Sequence, residues 1–202
     1  MTTDSAQLPE LSYGAEVRRK LLHLFALTIP IGYHLVSRPT AVGVVFVAFA
    51  VALLVDFGRL RSWPIQRGWQ HYTDPIVRPR EALAFTGAVH ILFSGWLCPL
   101  FLAVPAAATG MVTIIFGDTA AALVGRRWGR HRYTGNRSLE GSLAFFLAAL
   151  IGAWLVPGVS FLLGTAAALL AAVVEGLSRT VDDNLTVPVI VGLFVHLALR
   201  IG

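Results

Sequence analysis

Apolar runs on the order of 20 residues long succeed one another along almost the whole chain. That repetition constrains the fold more than any single motif. A helix rises about 1.5 Å per residue, so a run of roughly 20 residues crosses a hydrocarbon core about 30 Å thick. Lipid offers the backbone no hydrogen bonds, which leaves helices and closed barrels as spanning structures. Barrel strands read as short alternating segments, whereas these runs are continuous and rich in Ala, Leu, Val and Gly. Helices follow. Only 13% of the 202 residues are charged against 56% hydrophobic, too little polar surface for a soluble domain. The expected fold is all-α, a single polytopic integral membrane helical bundle over 1–202.

The runs place seven spans near 21–36, 40–57, 83–103, 104–125, 141–156, 159–177 and 187–201. The first and last are short for the core, so they are either broken or flanked by Arg and Lys side chains that reach the interface. Arg18, Arg19 and Lys20 precede the first span. Arg59, Arg61, Arg67, Arg78 and Arg80 fill the second connection, Arg126, Arg127, Arg130, Arg132 and Arg137 the fourth, and Arg179 lies in the sixth. An odd number of spans puts all of these on one side, leaving Arg38 and Arg200 opposite, so the N-terminus is expected in the cytoplasm and the C-terminus outside. Asp56, Asp74, Glu81, Asp118, Glu140, Glu175, Asp182 and Asp183 fall near the same face. Chemistry is therefore expected at the cytoplasmic face.

The first 20 residues carry Asp4, Glu10 and Glu16 and no early apolar core, unlike a cleaved signal peptide. Segment 1–18 reads as a short cytoplasmic N-terminal stretch, with 58–80 and 126–140 as cytoplasmic loops. The loop 58–80 interleaves Arg with Trp63, Trp69 and Tyr72. It suits an interfacial anchor or a gate for a lipid substrate. The basic residues serve topology, so no nucleic-acid partner is expected, and nothing fixes an oligomeric state. The single cysteine, Cys98, excludes an internal disulfide.

Residues 117–142, GDTAAALVGRRWGRHRYTGNRSLEGS, concentrate the candidate chemistry. Asp118 lies inside an apolar span, where a carboxylate costs several kcal/mol unless it meets partners or water. It is either a metal or catalytic group or half of a structural ion pair. Ala121, Ala122 and Gly125 share its helical face and leave it uncrowded, though small residues also suit helix packing. The Arg-rich loop with Gly129 and Gly135 fits phosphate binding, and a basic loop is also what topology demands. Ser138 is an N-cap or a phosphate contact, at a helix start whose free N–H groups suit an anion. Glu140 is a helix-dipole partner or a metal ligand.

Glu175 ends the sixth span, where a negative charge opposes the helix dipole. Asp182, Asp183 and Asn184 crowd hard oxygen donors together, suited to Mg²⁺ or to capping the last helix, with Pro188 in its first turn. Glu16/Lys20 and Arg19/His23 stand at i, i+4 spacing near the first span, as surface pairs on helical geometry. His196 reads as a packed residue, and His90 as a residue that contacts a lipid hydroxyl or packs mid-membrane.

Four ordered motifs resemble the dolichol kinase, phytol kinase and CTP-dependent diacylglycerol kinase family, itself related to phosphatidate cytidylyltransferases. They are ExxRKxxH at 16–23, GDxxAxxxGRRxG at 117–129, [KR]SxEGS at 137–142 and ExxxxxxDDNLTVP at 175–188. The resemblance implies phosphoryl transfer from CTP, with Mg²⁺, to the hydroxyl of a membrane lipid alcohol. It implies catalytic roles for Asp118, Glu175 and Lys20, and nucleotide contacts from Arg19, Lys20, Gly117, Gly125, Arg126, Arg137, Ser138, Glu140, Gly141, Ser142 and Asn184. Asp118, Asp182 and Asp183 would hold the metal, and His23 would meet the lipid; His90, outside the four motifs, is a lipid-contact candidate from its place in an apolar span alone. Arg137 departs from the Lys more common in the family, which keeps the charge and changes the donor geometry. The rival expectations are a cytidylyltransferase attacking the α-phosphate and, from another class, a small transporter. An isoprenoid alcohol is the expected acceptor, with diacylglycerol as the alternative.

Overall fold

A computed structural model describes residues 12–64, 77, 81–134, 137–178 and 181–201. Most of the loop 58–80, including Arg67, Trp69, Tyr72, Arg78 and Arg80, therefore lies outside the described residues, as does Arg179. The described chain forms helices α1 (Tyr13–Phe25), α2 (Thr28–Leu35), α3 (Arg38–Leu60), α4 (Gly87–Phe101) and α5 (Val104–Trp128). A short ribbon of β1 (Arg132–Thr134) and β2 (Arg137–Ser138) follows, then α6 (Leu139–Trp154), α7 (Phe161–Leu177) and α8 (Asp183–Ile201). The architecture is all-α apart from that antiparallel ribbon, which sequence periodicity did not predict.

Helices α3, α5 and α8, of 23, 25 and 19 residues, are long and apolar enough to cross a membrane, and α4, α6 and α7 are shorter apolar helices. The protein is an integral membrane protein. Along α3 the side chains of Val44, Val47, Val51 and Leu54 are 56–64% exposed, the arrangement of a helix whose outer face meets lipid tails rather than water. Its other face meets α4 through a cluster of Phe46, Phe49, Phe93 and Trp96, with ring centroids 5.3–6.0 Å apart.

The expected first span is two helices. Pro30 has no N–H to give to the Ala26 carbonyl, and the chain turns tightly there, with Ala26 N–H bonding to His23 O and Ile29 N–H to Ala26 O, each at 3.0 Å.

Helix α5 is the axis of the bundle. Ala106, Ala107, Ala108, Met111, Ile114 and Ile115 are 0–1% exposed, and α5 packs against α6 and α8 while also touching α1, α2, α4 and α7. Small residues set these approaches, as is usual where lipid supplies no hydrophobic drive between helices. A Cβ on Gly110 would stand 3.0 Å from the Pro188 carbonyl carbon.

Two prolines inside helices free a carbonyl each, and the bundle satisfies both. Pro99 cannot donate to the Gly95 carbonyl, and the Tyr33 hydroxyl of α2 donates to it instead. Pro188 cannot donate to the Asn184 carbonyl, and the Ser94 hydroxyl of α4 donates to it at 2.8 Å. Each substitute bond joins two helices. His196 likewise accepts a bond from the Ala103 N–H at 2.9 Å, at the start of α5, the packed role expected for it.

Candidate active site

Helices α3, α5 and α7 end where α4, α6 and α8 begin, and the buried charges gather at that end. Helix α1 starts with Ser12, whose Oγ accepts the Ala15 N–H at 3.2 Å. Glu16, Lys20 and His23 then fall on one helical face, which is turned towards α5: Glu16 is 0% and Lys20 1% exposed. Burying charges costs several kcal/mol each unless partners are well placed. The Lys20 ammonium donates to Asp118 Oδ2, and His23 Nε2 lies 3.6 Å from the same oxygen. Glu16 pairs with Arg19 and, at 3.4 Å, with Arg126 at the end of α5. In place of the surface pairs expected at i, i+4, Lys20 and His23 turn to Asp118 of α5, while Arg19 pairs with Glu16 within α1 and Glu16 also reaches Arg126. Away from water a charge is worth far more to its neighbour, so the inward face takes partners from α5.

Asp118 therefore sits in an ion pair, and its uncrowded helical face is used for packing. A Cβ on Gly141 would meet the Ala121 carbonyl at 3.2 Å and the Gly125 Cα at 3.3 Å. Gly117 lies under the Phe145 ring. The expected nucleotide positions Gly117, Gly125 and Gly141 accordingly line the α5–α6 seam.

Ser138 caps α6, its Oγ accepting the Gly141 N–H at 3.1 Å. The ribbon folds back over that helix start. His131 Nδ1 meets Glu140 Oε1 at 2.7 Å, the His131 N–H approaches both Glu140 oxygens at 3.3 Å, and the Tyr133 hydroxyl meets Ser142 Oγ at 2.8 Å. The His131 side-chain hydrogen bond, with the backbone N–H groups of Glu140 itself, His131 and Arg130, holds the Glu140 carboxyl down at about 2.

Arg137, just before that cap, reaches three acceptors. Its Nε is 2.9 Å from Glu175 Oε1 and its Nη2 3.9 Å from Asp183 Oδ2, while Nη1 donates to the Gly176 carbonyl at 3.1 Å. Arg137 thereby ties the end of α7 to the start of α8. Asp182 Oδ1 accepts the Asn184 N–H at 3.0 Å and its Nδ2–H at 2.8 Å, which is the capping role considered from sequence. Asn184 is 2% exposed.

Two further buried carboxylates, placed near this face from sequence, carried no assigned role there. Asp56, 4% exposed, accepts from Arg59 Nε at 2.7 Å and from the Thr86 N–H at 2.6 Å. Arg59 also donates to the Ala84 carbonyl at 2.7 Å, so the pair pins segment 81–86 to the end of α3. Glu81, 5% exposed, accepts the Gly87 N–H at 3.2 Å. A Cβ on Gly87 would meet Asn184 Nδ2 at 3.0 Å and Glu81 Oε1 at 3.7 Å, which brings segment 81–87 up to the start of α8. The signal available was an acidic residue at the mouth of an apolar run. A cavity of about 560 Å³ opens there, lined by Glu81, His90, Arg137, Ser178, Asp182 and Asp183 and by the apolar Leu60, Leu83, Ala84, Phe85 and Val181.

Among the described residues no three His, Cys, Asp or Glu side chains form a ready metal cage. Mg²⁺ asks for less, usually one or two carboxylates with water and substrate phosphates. Glu175 and Asp183, both facing Arg137, are hard oxygen donors of that kind, and Asp182 lies beside them at the start of α8. The donor set fits such an ion.

The chain is 30% identical over 187 residues to a phytol kinase from Synechocystis, covering 86% of this chain and 76% of the relative. It is 26% identical over 220 residues to a CTP-dependent diacylglycerol kinase from Saccharomyces cerevisiae, covering 92% and 74%. Over 86 residues it is 34% identical to a dolichol kinase from Schizosaccharomyces pombe, covering 39% of this chain and 17% of that protein. No protein-family model matches the chain, and no solved structure does.

Proposed function

The chain belongs to the family of phytol kinase, CTP-dependent diacylglycerol kinase and dolichol kinase, and from that premise we propose that it transfers the γ-phosphate of CTP to the hydroxyl of a membrane isoprenoid alcohol. One observation carries the reading. Lys20 and Asp118, from two motifs 98 residues apart, pair in the buried end of the bundle, which supports reading the first and second motifs as parts of one site. In this proposal the bundle crosses the membrane seven times, with the N-terminus and the active site in the cytoplasm, as the Arg and Lys distribution supports.

Phosphoryl transfer asks for charge neutralisation and in-line positioning more than for covalent chemistry. Arg19, Lys20, Arg126 and Arg137 supply cations for phosphate oxygens; the first N–H groups of α6 are already taken, Gly141 by Ser138 Oγ and Leu139 by the His131 carbonyl. Asp118, Asp182 and Asp183 are the motif residues that would hold Mg²⁺, one or two at a time together with substrate phosphates, since they form no three-carboxylate cage among the described residues. The ion would supply neutralisation of developing charge on the phosphates when bound. Glu175 and Asn184 stand beside Asp183 to orient that group. A carboxylate of the site takes the proton of the alcohol, with Asp118 and Glu175 the candidates named by motif. Both carry a cation already, Lys20 and Arg137 respectively.

The test is a product assay on detergent-purified protein with Mg²⁺ and CTP labelled separately at the α and γ positions, offered prenols, diacylglycerol and phosphatidate. Label from the γ position in a prenol is expected, and chelation of the metal should abolish it. Label in diacylglycerol alone would replace the acceptor, label from the α position would make the protein a cytidylyltransferase, and no transfer to any lipid would overturn the kinase reading.

A further inference from the structure

The cavity between segment 81–90 and the start of α8 has two kinds of wall. One is polar, with Glu81, His90, Arg137, Asp182 and Asp183, and the other is apolar, with Leu60, Leu83, Ala84, Phe85 and Val181. Leu83 is 94% and Phe85 37% exposed, so the apolar wall continues onto the outer surface of the bundle. An amphiphile with a small polar head on an apolar body matches that division, and a nucleotide does not. Arg137 lines the cavity and also contacts Glu175 and Asp183, so whatever enters lies against the residues assigned to the phosphates. Among the described residues neither Asp118 nor Glu175 lines it.

We propose that this cavity receives the hydroxyl head of the acceptor lipid and that the Glu81 carboxylate takes the hydroxyl proton. The inference rests on the kinase reading. In the step, the alcohol oxygen forms a bond to the γ-phosphorus while the bond from that phosphorus to the β,γ-bridging oxygen breaks. CDP leaves with the electron pair, and the alcohol proton passes to Glu81. The geometry prepares Glu81 for this. The Gly87 N–H bond at 3.2 Å fixes one carboxylate oxygen at the start of α4, whose dipole favours a negative charge there. Asp56 and Arg59 hold the segment that carries it against α3. His90 is the other titratable group of segment 81–90 in the cavity. Its Nδ1 must donate to the Thr86 carbonyl, 2.9 Å away, because that oxygen only accepts, so in the neutral ring Nε2 keeps the lone pair.

Glu81→Gln keeps an oxygen for the Gly87 N–H and removes the base, so it separates proton transfer from the support of α4. General bases contribute roughly 10²–10⁴-fold. The expected result is a fall of about 100-fold or more in kcat/KM for the alcohol, with an unchanged KM for CTP and a protein that still folds and binds the nucleotide. Ala84→Trp, which fills the apolar wall, should raise the KM for the alcohol and spare that for CTP. Wild-type acceptor kinetics in both variants would overturn this inference and leave the kinase reading standing. Retention of rate in Glu81→Gln with loss in His90→Phe would move the base to His90 and overturn the assignment to Glu81. Absence of γ-label transfer by the wild-type protein would instead remove the kinase reading, and this inference with it.

Discussion

The Ser94 hydroxyl of α4 donates to the main-chain carbonyl of Asn184 in α8 at 2.8 Å, the carbonyl that Pro188 leaves without its helical donor. Ser94 is 0% exposed, so water cannot take its place. Hydrogen bonds between membrane helices average about 0.6 kcal/mol and reach about 1.7 kcal/mol, and an orphaned buried carbonyl belongs near the upper end. Ser94→Ala should therefore destabilise the bundle by about 1 kcal/mol. Because Asn184 opens α8 beside Asp183, turnover should fall further than the loss of fold explains. Thermal unfolding in detergent, set beside the rate, checks this; unchanged values for both would show that the bond does not position α8.

The pair of Lys20 and Asp118 predicts different outcomes for stability and activity. Lys20 is 1% exposed, and taking away the carboxylate it pairs with should cost on the order of 3 kcal/mol. Asp118→Ala should then lose both turnover and stability. Pairing it with Lys20→Met removes the buried charge, so the double variant should regain most of the melting temperature and none of the activity. If the double variant melts no higher than Asp118→Ala, the ion pair is not what the single substitution disrupts.

The sequence carried the all-α fold and the four motifs because apolar length and motif spacing are local properties. The break at residues 26–27 is traceable to Pro30 afterwards, but periodicity read across it since both sides are apolar. The inward turn of Glu16 and Lys20 was not legible: the spacing is the same for a surface pair as for two residues facing Asp118 and Arg126, and only the packing of α1 on α5 decides between them. Gly117, Gly125 and Gly141 illustrate the same ambiguity, because a small residue suits both a phosphate and a helix seam. Glu81 was hidden differently. It belongs to none of the four motifs, and its neighbour Asn184 lies about a hundred residues away in the chain.

Gly110 offers a test of the α5–α8 crossing. A methyl there would stand 3.0 Å from the Pro188 carbonyl carbon and closer still to its oxygen, and backbone cannot swing aside as a side chain can. Gly110→Ala should cost about 1–3 kcal/mol through overpacking and lower activity by displacing the start of α8. Gly43→Ala, where nothing lies within 4 Å, is the control and should be neutral or slightly stabilising. Equal melting temperatures for the two variants would contradict so close a crossing.

Arg137 joins Glu175, Asp183 and the Gly176 carbonyl through three different nitrogens. A lysine ammonium is a single point of charge and cannot span acceptors set apart in this way. Arg137→Lys preserves the positive charge near the proposed phosphate position, so transfer should persist, with the KM for CTP raised by about 10-fold, a difference of roughly 1.4 kcal/mol in binding. Arg137→Ala removes the charge as well and leaves two nearby carboxylates without their shared cation, so kcat/KM should fall by about 100-fold or more, the range of a lost charge-assisted contact in a dry site. Steady-state kinetics against CTP at saturating alcohol separates the cases. If lysine and alanine cost the same, the fork geometry rather than the charge is what the site uses; if neither costs anything, Arg137 holds α7 to α8 and takes no part in phosphate binding.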